Sequence, residues 1–360
     1  MPCTDAKRKR DSAQPQETIR TVGPMLTKDL FQRLSPRARI LFIRLRSMGD
    51  CLLLTAPIRA LKAQFPAFRI TILVEPPFVD CFDANPDVDE ILSAPDKWSF
   101  AARLLTRRFD AIVNLHGGPT SLLYSCLAWG NRIGAEHYQA ARFYQGVVPR
   151  PAPDAHTVES TMALMRWLGL QSDEPPKLRY EFHPEEAARM RQKLNDRPYA
   201  VMHPGSVLET KRWQARRYGE LAGCLARRGL TMVLTAGPGE ESWVSEAARE
   251  IEGAVIVLGL RIPELAELIR GARLYIGNDS GPVHLAAAVG TPVVAIWGSS
   301  DSRRWRPWNI DHRVVQNPFE CNPCPGYRCL VADSPLCIES VTVEQVYAAV
   351  EELLANPAQL

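Results

Sequence analysis

The chain of 360 residues has no long unbroken apolar run, no apolar leader and little net charge. The uncharged stretch Ser280–Ser300 is interrupted by Gly281, Pro282, Gly290 and Pro292, which excludes a spanning helix there. Its opening, MPCTDAKRKRDSAQPQ, is charged and lacks the apolar core of a secretion signal, so a cytoplasmic protein is expected. With 43 Lys and Arg against 40 Asp and Glu, the formal charge is only +3, and no nucleic-acid partner is expected. What remains is globular in composition, at 46% hydrophobic and 23% charged residues. The length suits two domains, and 29 prolines suggest many punctuated loops. Charge is uneven: residues 1–46 hold eleven Lys and Arg against four Asp and Glu. Such a patch suits an anionic surface or acceptor, or is simply a solvated tail. Residues 1–24 read as a disordered polar leader.

The stretch Leu274–Trp297 reads as strand, turn, helix, turn, strand. Leu274–Ile276 is a short apolar strand; Gly277-Asn278-Asp279-Ser280-Gly281 supplies a permissive turn with capping side chains, and Pro282 sits where a first helical turn tolerates a missing N–H. Gly290 and Pro292 end the helix, and Val293–Ile296 is a β-branched run suited to a strand covered on both faces. A helix opened by small polar residues at the carboxyl end of a strand offers N–H groups and positive dipole to an anion, naturally a phosphate. His284 in that first turn could donate to a phosphate oxygen. Alternatively Asp279 and Ser280 merely cap the helix and His284 is a surface residue.

Alternating strands and helices run along the rest of the chain. Ile40–Ile43, Arg69–Val74 and Ala111–Leu115 read as strands of a parallel sheet, with helices at about 51–65, 120–129 and 156–168. Gly49 allows a tight turn after the first strand, and Pro57 is expected to kink the following helix or mark its true start. Asp50, at the end of that strand-to-helix loop, either caps the helix or presents a carboxylate to the ligand cleft. His116-Gly117-Gly118 ends the third strand as another cleft loop. A polar run at 171–177 is a plausible linker, giving one domain at 25–174, a second at 175–345 and a closing helix and tail at 346–360. In the second, Tyr199–Met202 runs into His203-Pro204-Gly205-Ser206, followed by Lys211 and Arg212, a loop chemically apt for a diphosphate. Thr231–Thr235 leads to Glu240 and Glu241 at the start of a helix, where a carboxylate can accept from ribose hydroxyls or complement the helix dipole.

The run N-D-S-G-P-x-H-L-A-A-A-x-G-T-P, at Asn278–Pro292, resembles the signature of glycosyltransferase family nine, the ADP-heptose:lipopolysaccharide heptosyltransferases. R-x-x-x-x-G-D-x-x-x-x-T-x-P from Arg44, H-P-G-S with K-R-W from His203, and G-x-x-x-E near Gly237 resemble its other motifs in order. The resemblance implies an α/β fold of GT-B type, two Rossmann-like doubly wound domains facing a central cleft, with a closing helix that often crosses back to the first domain. It implies transfer of a heptose from ADP-L-glycero-D-manno-heptose, with inversion, to the inner core or lipid A–Kdo part of lipopolysaccharide at the inner membrane's cytoplasmic face. Asp50 becomes the general base, and Lys211, His284 and the helix N-terminus at Ser280–Gly281 hold the departing diphosphate. Ser206 is given a phosphate contact, Glu241 (or Glu240) the ribose, and Asp279 the donor sugar or its loop. With cations and N–H groups on the phosphates no cofactor or catalytic metal is required. Rival readings are another acceptor, a sugar-nucleotide epimerase, or a non-catalytic nucleotide-sugar-binding module.

Of nine cysteines, Cys321, Cys324, Cys329 and Cys337 crowd one loop as C-x2-C-x4-C-x7-C. The spacing could ligate structural zinc, but a second C-x2-C pair is missing, and disulfides or free thiols are open alternatives. The loop is read as structural.

Overall fold

The computed structural model describes residues 27–93, 97–194, 197–251, 253–324 and 327–355. The polar leader expected at 1–24 lies outside the described residues. The first half opens with α1 (Leu30–Arg33), β1 (Arg39–Ile43), α2 (Met48–Gln64), β2 (Arg69–Val74) and β3 (Glu90–Ser93). It continues through α3 (Lys97–Leu105), β4 (Arg108–Asn114), α4 (Pro119–Leu127), β5 (Trp129–Ala135), β6 (Gly146–Val148) and α5 (Thr157–Trp167). The second begins with α6 (Pro184–Leu194), β7 (Tyr199–His203), α7 (Ala215–Ala226), β8 (Thr231–Thr235), α8 (Glu241–Arg249) and β9 (Val255–Val257). Then follow α9 (Ile262–Arg270), β10 (Leu274–Asn278), α10 (Gly281–Val289), β11 (Val293–Ile296), α11 (Ser302–Trp305), β12 (His312–Val315), α12 (Leu336–Glu339) and α13 (Val343–Leu354).

The strands form two wholly parallel sheets, in the orders β3-β2-β1-β4-β5-β6 and β12-β11-β10-β7-β8-β9. Numbered within each half, both are the doubly wound order 3-2-1-4-5-6, and each reverses direction between its first and fourth strands. Those switch points, β1/β4 and β7/β10, are where a parallel sheet opens a crevice beyond its carboxyl ends.

Side-chain alternation sorts each strand onto two faces. In β1, Ile40 and Phe42 join a central core, while Leu41 and Ile43 join an outer one with Phe100 and Leu104 of α3 and Tyr124 of α4. In β11, Val293 and Ala295 face that same central core, and Val294 and Ile296 face a third cluster with α7 and α13. The central core thus takes one face of each sheet, with α2, α5, α9 and α10 between them.

Several local expectations need correction. The helix α2 starts at Met48 and runs through Pro57, because Asp50 accepts the Ser47 N–H and fixes the start upstream of the proline. Gly49 is therefore helical rather than a turn. Residues Gly277 and Asn278 complete β10 rather than beginning the turn. Closing helix α13 does not cross back; it buries Val346, Ala349, Val350 and Leu353 against the second sheet's outer cluster.

The last residue of the fourth strand is a fully buried asparagine in both halves. Asn114 donates to Ser121 Oγ, Ser125 Oγ and Tyr144 Oη and accepts the N–H groups of His116 and Gly117. Asn278 donates to the carbonyls of Pro204 (2.8 Å) and Gly205 (3.3 Å) and accepts Trp213 N–H (3.1 Å) and Tyr218 O–H (3.0 Å). It thereby pins both ends of the loop that carries Lys211. Asn278→Ala leaves four buried groups without partners and is expected to destabilise the protein by about 3 kcal/mol. Denaturant unfolding checks this, and a midpoint equal to wild type would remove the pin from the account.

Candidate functional site

The switch points of the two sheets face each other, and α2 and α10 bring their N-termini to one cavity of about 220 Å³. Ser47, Gly49 and Asp50 line it from α2, Lys211 from the loop after β7, Asp279, Ser280, Gly281 and His284 from the β10–α10 junction, and Trp305 from α11. Six of the residues singled out from sequence, Asp50, Lys211, Asp279, Ser280, Gly281 and His284, therefore meet in one place.

The two helix N-termini are treated differently. On α2, the Asp50 carboxylate accepts Ser47 N–H at 3.3 Å and Ser47 Oγ–H at 3.2 Å, and it pairs with Arg44, which also donates to the Leu115 carbonyl. Asp50 is both cap and cavity wall. On α10, no side chain caps the helix. The Ser280 hydroxyl turns back to the Asn278 carbonyl at 3.2 Å, and Asp279 is taken by Lys211 Nζ at 2.6 Å and by the Ser300 hydroxyl. The capping alternative for Asp279 and Ser280 is thus set aside, and the positive end of α10 faces the cavity.

His284 is buried rather than on the surface, and its Nδ1 has no hydrogen-bond partner. Burial lowers its pKa and Lys211 adds to this, outweighing the opposing pull of Asp279 and Asp50, so the imidazole is neutral near pH 7. Gly49 is required opposite it, since a Cβ there would lie 2.5 Å from His284 Cδ2. On the first-sheet side His116 follows Asn114. Burial, Arg44 and Arg46 lower its pKa.

Ser206 and Glu241 do not line the cavity. Ser206 is buried on the loop after β7, and Glu241 is exposed at the first turn of α8, accepting Gly239 N–H at 3.3 Å. Its neighbour Glu240 is the one turned inward, 3.2 Å from His203 Nε2 and accepting Gly237 N–H at 2.9 Å. Burial works to raise the Glu240 pKa, but His203, the Gly237 N–H and Arg212 outweigh it and hold the carboxyl below its usual range. Arg212 is stacked over the Trp243 ring, 3.8 Å from its centroid.

Sequence reasoning gave no role to Ser300, which orients Asp279, or to Trp305. Cysteines 321, 324, 329 and 337 are free thiols around a separate apolar cavity of about 60 Å³. Among the described residues no group of three or more His, Cys, Asp or Glu is placed to hold a metal. None of the described helices is long and apolar enough to cross a membrane.

Two doubly wound parallel domains that open their switch points onto a shared cleft form the GT-B architecture, a class of glycosyltransferase. The chain belongs to glycosyltransferase family 9 (heptosyltransferase), whose sequence profile matches residues 97–333. It is 29% identical over 342 residues to lipopolysaccharide heptosyltransferase 3 of Escherichia coli strain K12, covering 87% of this chain and 97% of that protein. In fold it resembles a family 9 glycosyl transferase of Veillonella parvula, with a TM-score of 0.78 and 22% identity over 89% of this chain and 98% of that one. It also resembles Escherichia coli ADP-heptose LPS heptosyltransferase II, with a TM-score of 0.74 and 21% identity over 88% of this chain and 98% of that one.

The two domains are clasped beside the cavity by His156, the N-cap of α5. Its Nδ1 accepts Val158 N–H at 3.2 Å, so Nε2 carries the proton and donates to the Arg306 carbonyl at 3.0 Å. Burial drives the His156 pKa down to about 4, against the opposing pull of the Arg306 carbonyl. A histidine depressed on folding contributes stability that is complete above its unfolded pKa of 6.5 and is lost as pH falls towards 4. The loss expected across that window is on the order of 3 kcal/mol. His156→Gln keeps a donor without the titration and should lose less stability between pH 7 and pH 4.5. Unfolding curves at the two pH values check this, and equal losses in both proteins would rule His156 out as the responsible group.

Proposed function

We propose that this glycosyltransferase moves a heptose from ADP-L-glycero-D-manno-heptose to a hydroxyl of the lipopolysaccharide inner core or its lipid A–Kdo base, with inversion. The observation that carries the reading is the opposition, in one cavity, of the Asp50 carboxylate on the first domain and the uncapped α10 N-terminus with Lys211 on the second. Single displacement at an anomeric carbon needs a base behind the incoming hydroxyl and stabilisation of the departing diphosphate on the far side. The two sides of this cavity supply those two functions.

In this mechanism Arg44 and Ser47 hold the Asp50 carboxylate still while it accepts the acceptor hydroxyl's proton. The diphosphate leaves towards Gly281, with the dipole of α10 and the Lys211 ammonium taking up its charge. Neutral His284 donates to it without adding charge. Asp279 fixes Lys211 at the cavity edge and keeps lone pairs for sugar hydroxyls. Glu240, turned inward at the N-cap of α8, takes the ribose in preference to Glu241, and Ser206 supports the phosphate loop from behind. The donor and acceptor classes follow the relatives named above, whose own names are ADP-heptose LPS heptosyltransferase II and lipopolysaccharide heptosyltransferase 3. The membrane face where a lipid-linked acceptor lies sets the place of work.

The test is release of ADP from ADP-heptose, with and without Kdo2–lipid A or a heptose-deficient core acceptor. Asp50→Ala is expected to lower kcat by about 10²–10⁴-fold while ADP-heptose still binds. Lys211→Ala is expected to cost about 10²–10³-fold, mostly in kcat. Full turnover by Asp50→Ala, or donor binding without transfer to any core acceptor, would defeat the reading.

A further inference from the structure

Trp305 is the one aromatic side chain lining the cavity among the described residues, and the transfer chemistry leaves it without a role. It stands at the end of a single helical turn whose N-cap is Asp301, a short element with little rigidity of its own. Its own domain holds the start of the turn, where Ser302 Oγ–H donates to Gln316 at 2.8 Å and Asp301 accepts Arg303 N–H at 3.1 Å, and the other domain holds its end. The carbonyl of Arg304, just before it, accepts Thr157 Oγ–H at 3.1 Å, and the carbonyl of Arg306, just after it, accepts His156 Nε2–H at 3.0 Å. Both donors belong to the N-terminus of α5. Three residues on, Trp308 packs its ring 4.5 Å from that of His156 and donates Nε1–H to the Pro176 carbonyl at 3.1 Å. The first domain thus grips the backbone on both sides of Trp305, and downstream the Trp308 ring rests against His156.

An indole wall facing carboxylates is a sugar-binding arrangement. One face of a pyranose presents polarised C–H groups, which the negative face of an aromatic ring attracts, while the hydroxyls at the ring edge need acceptors. Asp50 and Asp279 supply acceptors in the same cavity. We propose that Trp305 is the platform on which a pyranose ring stacks during transfer, and that His156 and Thr157 are positioning residues that set this platform only when the two domains are together. The inference rests on the transferase reading and adds to it a sugar-contacting residue and the clasp that places it. The pyranose is either the transferred sugar or the one that receives it, and the two are separated by experiment.

Three quantities are measured for wild type, Trp305→Phe, Trp305→Ala, His156→Ala, His156→Gln and the Trp305→Ala/His156→Ala double variant: calorimetric Kd for ADP, calorimetric Kd for ADP-heptose, and KM for Kdo2–lipid A. Trp305→Ala is expected to weaken one sugar-dependent quantity by about tenfold or more, with the ADP Kd unchanged and Trp305→Phe intermediate. Weaker ADP-heptose binding identifies the transferred sugar as the stacked one, and a raised acceptor KM identifies the receiving sugar. His156→Ala should shift the same quantity in the same direction, His156→Gln should restore it, and the double variant should be no worse than Trp305→Ala, because both changes remove one function. Trp305→Ala with all three quantities within about twofold of wild type overturns the platform, and additive effects in the double variant overturn the clasp. A wild-type protein that binds ADP-heptose but transfers to no acceptor defeats the transferase reading instead, and the donor-binding comparison then still decides whether Trp305 holds a sugar.

Discussion

A parallel sheet ends in unpaired backbone at its carboxyl edge, and the loops that leave its switch point have no ladder to hold them. In this protein a buried side-chain amide takes that part twice. Asn114 and Asn278 occupy the same position in the two domains, the last residue of the strand beside the switch point, and each bridges the two loops that form the crevice or the helix behind it. An amide suits the position because it both donates and accepts, so one side chain satisfies carbonyls and N–H groups that no strand reaches. Aspartate would lack the donors and leucine would leave buried polar groups unpaired. Lys211 reaches the cavity because the segment around it, from Pro204 to Trp213, is tied at both ends to Asn278.

With the loops fixed, the cavity depends on two helix ends brought face to face. They approach closely because Gly49 leaves room for the His284 ring and Gly281 leaves room for Met48, where a Cβ would lie 2.9 Å from Met48 Cβ. Two positive helix termini at such range repel unless something negative lies between them. On α2 that charge is built in, as Asp50. On α10 it is withheld, since Asp279 is turned to Lys211 and Ser300. The asymmetry gives the cavity a direction, with a fixed carboxylate at one end and a place for a transient anion at the other. Symmetric capping would have produced two stable helices and no site.

The sheets were legible in the sequence because strands covered on both faces are written as short β-branched runs: Arg69–Val74, Thr231–Thr235 and Val293–Ile296 fall where the pattern puts them. Asp50, Lys211 and the run from Asp279 to His284 were also legible as candidates, since each lies within a few residues of a strand end and carries its chemistry locally. Other features depend on contacts across the chain. Glu240 and Glu241 are adjacent carboxylates, and only the folded turn before α8 sets the first inward against His203 and the Gly237 N–H and leaves the second exposed. Asn278 reads as a turn residue until the loop it pins is in place. Gly49 reads as the glycine of a tight turn, whereas its need for a missing side chain comes from His284 in the other domain. The grip of His156 on Arg306 joins residues 150 positions apart, and no local pattern signals it.

These long-range contacts share a location, the seam between the domains. The central core there takes the inner face of both sheets and the helices between them, so neither domain buries that surface alone. Cavity shape is consequently a property of the seam. The motifs proposed for the nucleotide, from His203 to Lys211 and from Asn278 to His284, lie wholly within the second domain. Asp50 and the placement of Trp305 are useful only when α2 meets α10 and α5 holds the segment around Arg304 and Arg306. A substitution at the seam can therefore reshape the cavity while every recognisable motif stays intact.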